Sequence, residues 1–428
     1  MNIKYLHVFF LSLKSYIFNA YSLPCWAKIT FRFFFCLILS FILLKNNGAF
    51  PFIEFLNKPL IELFKIITPW FSENILGYNY DFKIFTNGSG DTSYDWVSLL
   101  ILFLISVMIS ILWSIIDIKR RNYNMAYYWL TVFIRYYIAF MLINYGAIKL
   151  IHAQMPPPSL NRLMEPLHEF SPMGLAWTYL GFSKSYNIFM GIVEILSGLL
   201  LFRRTMIIGA LITIATSINI MTVNYFFDVP VKMVSTALFL LSLFLLLPYM
   251  KAIFTFLMGR KATRINIPPR PTYKRKNIGR MLLWVKIIVL VIFTGIQIFR
   301  LIQTQNMIAK YFKKSPLYGI YKVQGSDSVN KTIPKDWSYI IFEFEGKALV
   351  RNKYYEKSYK DASIDTLKKE ITFNNYLFNY TQKSNGDLTL VKDFPNRKEE
   401  IKLIKQKIEN YELNKYKFNL IQEYPNNQ

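Results

Sequence analysis

Apolar residues along this chain gather into long unbroken runs instead of recurring with the period of a strand or of an amphipathic helix. Seven such runs lie near 27–44, 96–118, 127–148, 186–202, 205–225, 233–249 and 281–301. Each is about as long as a bilayer crossing requires, roughly 17–25 residues. Beyond residue 310 the pattern changes. SYIIFEFE, KALVRNK, ITFNNYLFNYTQ, DLTLVKDF and KYKFNLIQEY alternate apolar and polar positions, as half-buried antiparallel strands do, and Asn385 with Gly386 supplies a hairpin turn. Leu317 to Tyr321 read as an opening strand and Trp337 as an anchoring aromatic, whereas KEEIKLIKQKIENYELNK fits either a short helix or a strand pair. The fold class that follows is a polytopic α-helical membrane protein of about seven spans, followed by a C-terminal all-β domain, a small barrel or sandwich.

The spacing of the runs divides the chain. Residues 1–126 hold the first two spans, and residues 127–250 a group of four. A basic linker covers 251–280, the seventh span 281–301, and the β-rich domain 310–428. Within the first part, FIEFLNKPLIELFKIITPWF has helical spacing but too many charges to cross a bilayer. It is expected to lie flat on the membrane or to pack as a plug. NGSGDTSYDW after it reads as a turn-rich loop, and residues 1–25 as a cytoplasmic, partly interfacial lead-in. Arg203 and Arg204 leave almost no room between two spans, which predicts an antiparallel helix pair.

Charge adds an orientation. The 428 residues are 53% hydrophobic and 18% charged, with a formal net charge of +25. Lys119 to Arg121, Arg203 with Arg204, and the 260–280 stretch fall on one side of a seven-span layout, the side that should face the cytoplasm. The N-terminus is then inside, and 45–95, 150–185 and everything after residue 301 are outside a bacterial inner membrane. The lipid bilayer is thus the first partner, with other membrane or periplasmic protein subunits as further ones. Nucleic acid is not a partner on this reading, because much of the basicity sits in short loops where topology accounts for it. Cys25 and Cys36 form no metal-ligand spacing, and His7, His152 and His168 do not pair at i, i+4. No metal or haem site is written in the sequence.

Polar residues within the spans cost at least about 2.5 kcal/mol each when charged and are the default functional candidates. Lys149, Glu194, Asn219, Asn224, Asp228 and Lys232 are expected to form a polar cluster in the outer half of the bundle. Arg135 and His152 are a second candidate set. Structural alternatives stand beside each: an ion pair of Lys149 with Glu194 that fixes helix register, asparagines as interhelical glue, and a turn in which Asp228 pairs with Lys232. Gly191 and Gly198 flank Glu194 in a pattern that allows close helix packing. Arg32, near the start of its span, is expected to snorkel to the headgroups.

Four features occur in order: Arg135; the run Tyr145 to Lys149; Gly191-x-x-Glu194-x-x-x-Gly198-x-Leu200-Leu201; and Asp228-x-Pro230-x-Lys232. With them, the stretch 134–249 resembles the DoxX family of bacterial four-helix membrane proteins, in a long form with added N-terminal spans. The resemblance implies a link to membrane redox complexes and thiosulfate–quinone chemistry, and no catalytic residue set. Two functions follow as expectations: an accessory or binding subunit of an inner-membrane assembly, or a quinone-linked oxidoreductase subunit in which Glu194 and Lys149 move protons. A transporter is a third class, which the lack of an inverted repeat weakens.

Overall fold

The computed structural model describes residues 24–415 except 52, 79–89, 260–270, 272, 274–275, 325–333, 335, 374 and 396. The proposed lead-in before residue 24 and the KYKFNLIQEY strand beyond residue 415 therefore fall outside the described residues. Two compact units result: Met1–Met155 with Ser183–Leu301, and Pro156–Phe182 with Ile302–Gln428.

The helices in chain order are α1 (Cys25–Leu44), α2 (Ile53–Asn74), α3 (Ser93–Ile116), α4 (Asn124–Leu150), the short α5 (Leu160–Leu163), α6 (Pro172–Phe182), and α7 (Lys184–Ile195). A 3-10 segment, Leu196–Leu201, continues α7, and then come α8 (Met206–Phe226), α9 (Lys232–Leu246), α10 (Met250–Gly259) and α11 (Lys276–Tyr311). Among the described residues, seven helices are long and apolar enough to cross a membrane: α1, α3, α4, α7 with its 3-10 end, α8, α9 with its continuation, and α11. Ile111, Ile115, Leu240 and Val291 point large apolar side chains outward from them, as helices solvated by lipid do. The chain is a polytopic membrane protein.

In the first unit α4 is the central helix. Ile134, Tyr137, Ile138, Phe140 and Met141 are buried on several of its faces, because α1, α7 with its 3-10 extension, and α9 pack around it. The amphipathic α2 is not among these seven; it packs Phe64 against Tyr94, Ile101 and Leu102 of α3, with a 3.1 Å Thr68–Ser98 hydroxyl bond. Its outer face leaves Phe55, Leu56 and Ile66 exposed.

The second unit holds eight strands in a closed, antiparallel, up-and-down barrel, β1 to β8 in sequence order, closed by the β8–β1 pairing. The strands are β1 (Lys314–Gln324), β2 (Trp337–Phe344), β3 (Gly346–Asn352), β4 (Lys357–Asp365), β5 (Glu370–Phe373), β6 (Tyr376–Gln382), β7 (Leu388–Phe394) and β8 (Arg397–Lys405). Alternation sends Tyr321, Trp337, Phe342, Phe373 and Phe378 inward to a packed aromatic core, as small barrels fill their interiors. Gly386, at φ +88°, closes the β6–β7 turn, as the Asn-Gly pair predicts. KEEIKLIK resolves as a strand, β8, followed by a 3-10 turn and a short helix, α12 (Glu412–Lys415).

One face of the barrel's exterior is covered. Ile320, Ile341 and Leu349 point away from the interior and bury against Leu160, Leu163 and Met164. Residues 156–182, within the 150–185 stretch placed outside between two spans, are therefore part of this unit. Arg351, fully buried, donates from Nη2 and Nε to Asn161 Oδ1 at 2.9 and 3.2 Å and from Nη1 to the carbonyl of Tyr355 at 3.0 Å. Glu343 accepts the Leu160 amide at 2.8 Å. Burial pushes its carboxyl above the ordinary glutamate range, an effect that the Leu160 and Asn161 amides oppose.

Candidate functional site

Lys149 and Glu194 meet inside the helical unit. Lys149 Nζ donates to both carboxylate oxygens of Glu194, at 2.7 and 2.8 Å, and the residues are 5% and 3% exposed. The packing beneath explains how they reach each other. Gly146 of α4 and Gly191 of α7 put backbone against backbone: a Cβ on either would fall 2.6 or 2.7 Å from the other's carbonyl oxygen. Helical side chains tilt toward their own N-terminus, so Lys149 is directed back along α4 toward Glu194. Both oxygens of the acid are taken by one ammonium group.

The rest of the expected cluster does not join this pair. Asn219 is exposed on α8, whose buried positions include Thr213, Ser217 and Asn224. At about 100° per residue, two residues beyond Ser217 turns Asn219 to the opposite side, so depth along the helix was matched but not direction. Asn224 is buried and donates to the Val231 carbonyl at 3.2 Å, which locks the turn between α8 and α9. Asp228, at φ +51° with an 81% exposed side chain, pairs with Lys232 at 2.7 Å across that turn. Such an exposed pair contributes about 0–1 kcal/mol.

Arg135 and His152 lie 17 residues apart on and just beyond α4, about 25 Å of helical rise. They form no common site. His152, at φ +56°, occupies the left-handed position after the helix; its amide donates to Lys149 O and that of Ala153 to Ile148 O, at 2.9 and 3.1 Å. That is a Schellman closure, with histidine where glycine is usual. Arg135 Nε donates to Leu200 O at 2.6 Å. Lys286 of α11 donates to Leu201 O at 2.9 Å, and Thr205 Oγ1 to Leu199 O at 2.7 Å. Leu199 O also takes the Phe202 amide at 3.3 Å, whereas the Leu200 and Leu201 carbonyls end the 3-10 segment and in hydrocarbon each needs a partner. Arg135 serves that need, as a cation at the negative end of a helix dipole.

Other buried polar contacts passed unread in the sequence. Arg32 does not snorkel: it is 3% exposed and donates to Tyr123 Oη, Ser114 Oγ and Asp117 O at 2.7, 2.7 and 2.8 Å. Lys45 pairs with the buried Asp95 between α1 and α3. Thr92 and Asp95 form a capping box at the start of α3, a signal that T-x-x-D before an apolar run does carry. Asp91 accepts the amides of Lys232 and Met233 at 2.5 and 2.9 Å and so caps α9; no local pattern announces a cap more than a hundred residues away.

Over 115 residues the chain is 35% identical to the uncharacterized protein YwoB of Bacillus subtilis (strain 168), a match covering 26% of this chain and 71% of YwoB. The chain belongs to the family of YwoB. No model of a known protein family matches the chain, and no solved structure does.

A sizeable concavity of the helical unit lies elsewhere. A groove of about 500 Å³ runs between α1, α3, α4 and α9, bounded by Trp26 and Tyr123 toward one end and by Trp96 and Met233 toward the other. Its walls are almost wholly apolar. From Met233 to Leu247 it follows α9 for about 21 Å of rise, much of a hydrocarbon core about 30 Å thick. An apolar chain fits such a groove; a polar substrate would find almost no hydrogen-bonding partner in it.

Proposed function

We propose that this protein is a non-catalytic integral subunit of a bacterial inner-membrane assembly, holding an apolar chain in its helical groove and presenting its barrel to a periplasmic partner. The observation that carries this reading is how the charges are used. Lys149 and Glu194 satisfy each other, and Arg135 and Lys286 satisfy a helix end. The groove described above is lined by apolar side chains. Glu194 is 3% exposed and bound through both oxygens to Lys149, which supports a structural role for the pair over proton transfer.

The DoxX-like order of motifs agrees with this reading, since α4, α7, α8 and α9 pack on one another as a four-helix group. Orientation rests on charge. Tyr127, Tyr128, Arg203 and Tyr249 line one small cavity, so the basic turns next to them gather at one end of the unit, the cytoplasmic end on the positive-inside rule.

The test is extraction of the purified protein, with bound apolar molecules identified by mass spectrometry. Ala237→Trp, which fills the groove, should empty it of lipid while the protein stays monodisperse. Retention unchanged by that substitution would end the binding role. A bound quinone together with redox activity abolished by Glu194→Gln would replace it with the quinone-linked reading. A reporter fused after Gln428 should be active only outside the cytoplasmic membrane.

A further inference from the structure

A second set of polar groups meets between α4, α11 and the turn that follows α1. Phe293 of α11 stacks on Phe140 of α4, centroids 3.9 Å apart and rings 12° from parallel. One turn farther along each helix stand Gln297 and Asn144. Asn144 Nδ2 donates to Gly48 O at 2.9 Å, and a Cβ on Gly48 would lie 3.8 Å from that nitrogen and 3.5 Å from Arg300 Nη1. Gln297 and Arg300 are three residues apart on one helix face, the face that carries Phe293. The stack and the Gly48 contact therefore bracket Gln297 from both sides.

Three unmet requirements lie on these neighbouring turns. Gln297, 9% exposed, has a buried Nε2 with no acceptor, and Asn144 has a buried Oδ1 with no donor. Among the described residues no carboxylate pairs with Arg300, whereas the neighbouring cations Lys45 and Lys149 have Asp95 and Glu194. Buried polar groups without partners each cost about 1–3 kcal/mol, and two on facing helices beside an unpaired guanidinium call for an occupant. It must offer anionic oxygens to Arg300 and Gln297 and a hydroxyl hydrogen to Asn144. Gly48 follows the end of α1 at Leu44 by four residues, which places these groups near the membrane boundary.

We propose that Asn144, Gln297 and Arg300 form a binding site for a phosphate oxyanion that carries a hydroxyl group. Two sources share that chemistry: a phospholipid headgroup of the glycerol type, and the free phosphate monoanion. Arg300 and Gln297 would donate to the charged oxygens, and the hydroxyl would donate to Asn144 Oδ1. Gly48 leaves room for the guanidinium to lie over the turn.

The test uses the full chain in neutral detergent. Thermal stability is followed during titration with short-chain phosphatidylglycerol, with phosphatidylcholine of the same chain length, and with inorganic phosphate. Phosphatidylglycerol should raise Tm beyond phosphatidylcholine. Gln297→Glu, nearly isosteric but acidic, and Arg300→Gln should each weaken its apparent affinity about tenfold or more, the loss expected for one hydrogen bond to a charged group. Arg300→Lys should keep part of the response, and serves if Arg300→Gln does not fold. A response to phosphatidylglycerol alone identifies the headgroup as the source; an equal response to inorganic phosphate identifies the free anion. Equal effects of phosphatidylglycerol and phosphatidylcholine with none from phosphate would overturn the proposal. So would anion responses that survive in both Gln297→Glu and Arg300→Gln, an outcome that fits a bridging water instead.

Discussion

Gly146 and Gly191 lie so close that each would drive a methyl group into the other's carbonyl oxygen, with separations of 2.6 and 2.7 Å. Directly over that contact Lys149 grips both oxygens of Glu194. The close approach and the ion pair are one construction: α4 and α7 must touch backbone to backbone before so short a bridge can close.

Gly191→Ala should therefore destabilise the helical unit by about 1–3 kcal/mol, the range for overpacking a tight contact. Gly295→Ala on α11, where an added Cβ meets nothing within 4 Å, should be neutral or slightly stabilising. Thermal denaturation of the two variants in detergent makes the comparison, and equal effects would refute the close-approach argument.

Removing one partner of the buried pair leaves the other exposed to an apolar surrounding. Glu194→Leu or Lys149→Met alone should destabilise by about 3–5 kcal/mol. The double replacement should recover most of that loss, because two well-packed apolar side chains replace two desolvated charges. Additive single losses in a double-mutant cycle would show that the pair is not coupled.

In the barrel unit, Arg351→Met should release the segment 160–169 without melting the sheet. Asn161 would lose its donor, and the 3.5 Å contact of Arg351 with Glu169 would go as well. Hydrogen exchange should then quicken in that segment while β2 and β3 stay protected. Exchange unchanged in 160–169 would mean that the apolar contacts of Leu160 suffice.

Glu343 sets a pH dependence of known sign. Its carboxyl is raised by burial in the folded state, so folding favours the protonated form. The stability contribution is complete below the ordinary glutamate value and is lost as pH rises through the elevated one. The covering segment should hold more tightly at about pH 4 than at pH 7, after correction for intrinsic exchange rates. Glu343→Gln should flatten that dependence, and a slope that survives the substitution must come from another group.

Hydropathy by itself determined the membrane class, because the length of an apolar run is a property of consecutive residues. Strand alternation likewise marked most of the β domain. It passed over β4, whose residues are mostly solvent-facing apart from Ala362, so that no period-two signal forms. The pairing of Lys149 with Glu194 stood among the readable alternatives, since two opposite charges in hydrocarbon have few other ways to be satisfied. Direction around a helix axis, by contrast, is fixed only when neighbours pack. That is why Asn219 turned outward, why Arg32 and Arg135 found fixed partners, and why Asp91 came to cap a helix distant in sequence. The closure of eight strands into a barrel, and the use of residues 160–169 to cover its outer face, also belong to tertiary structure. Each depends on surfaces that exist only once the elements have formed.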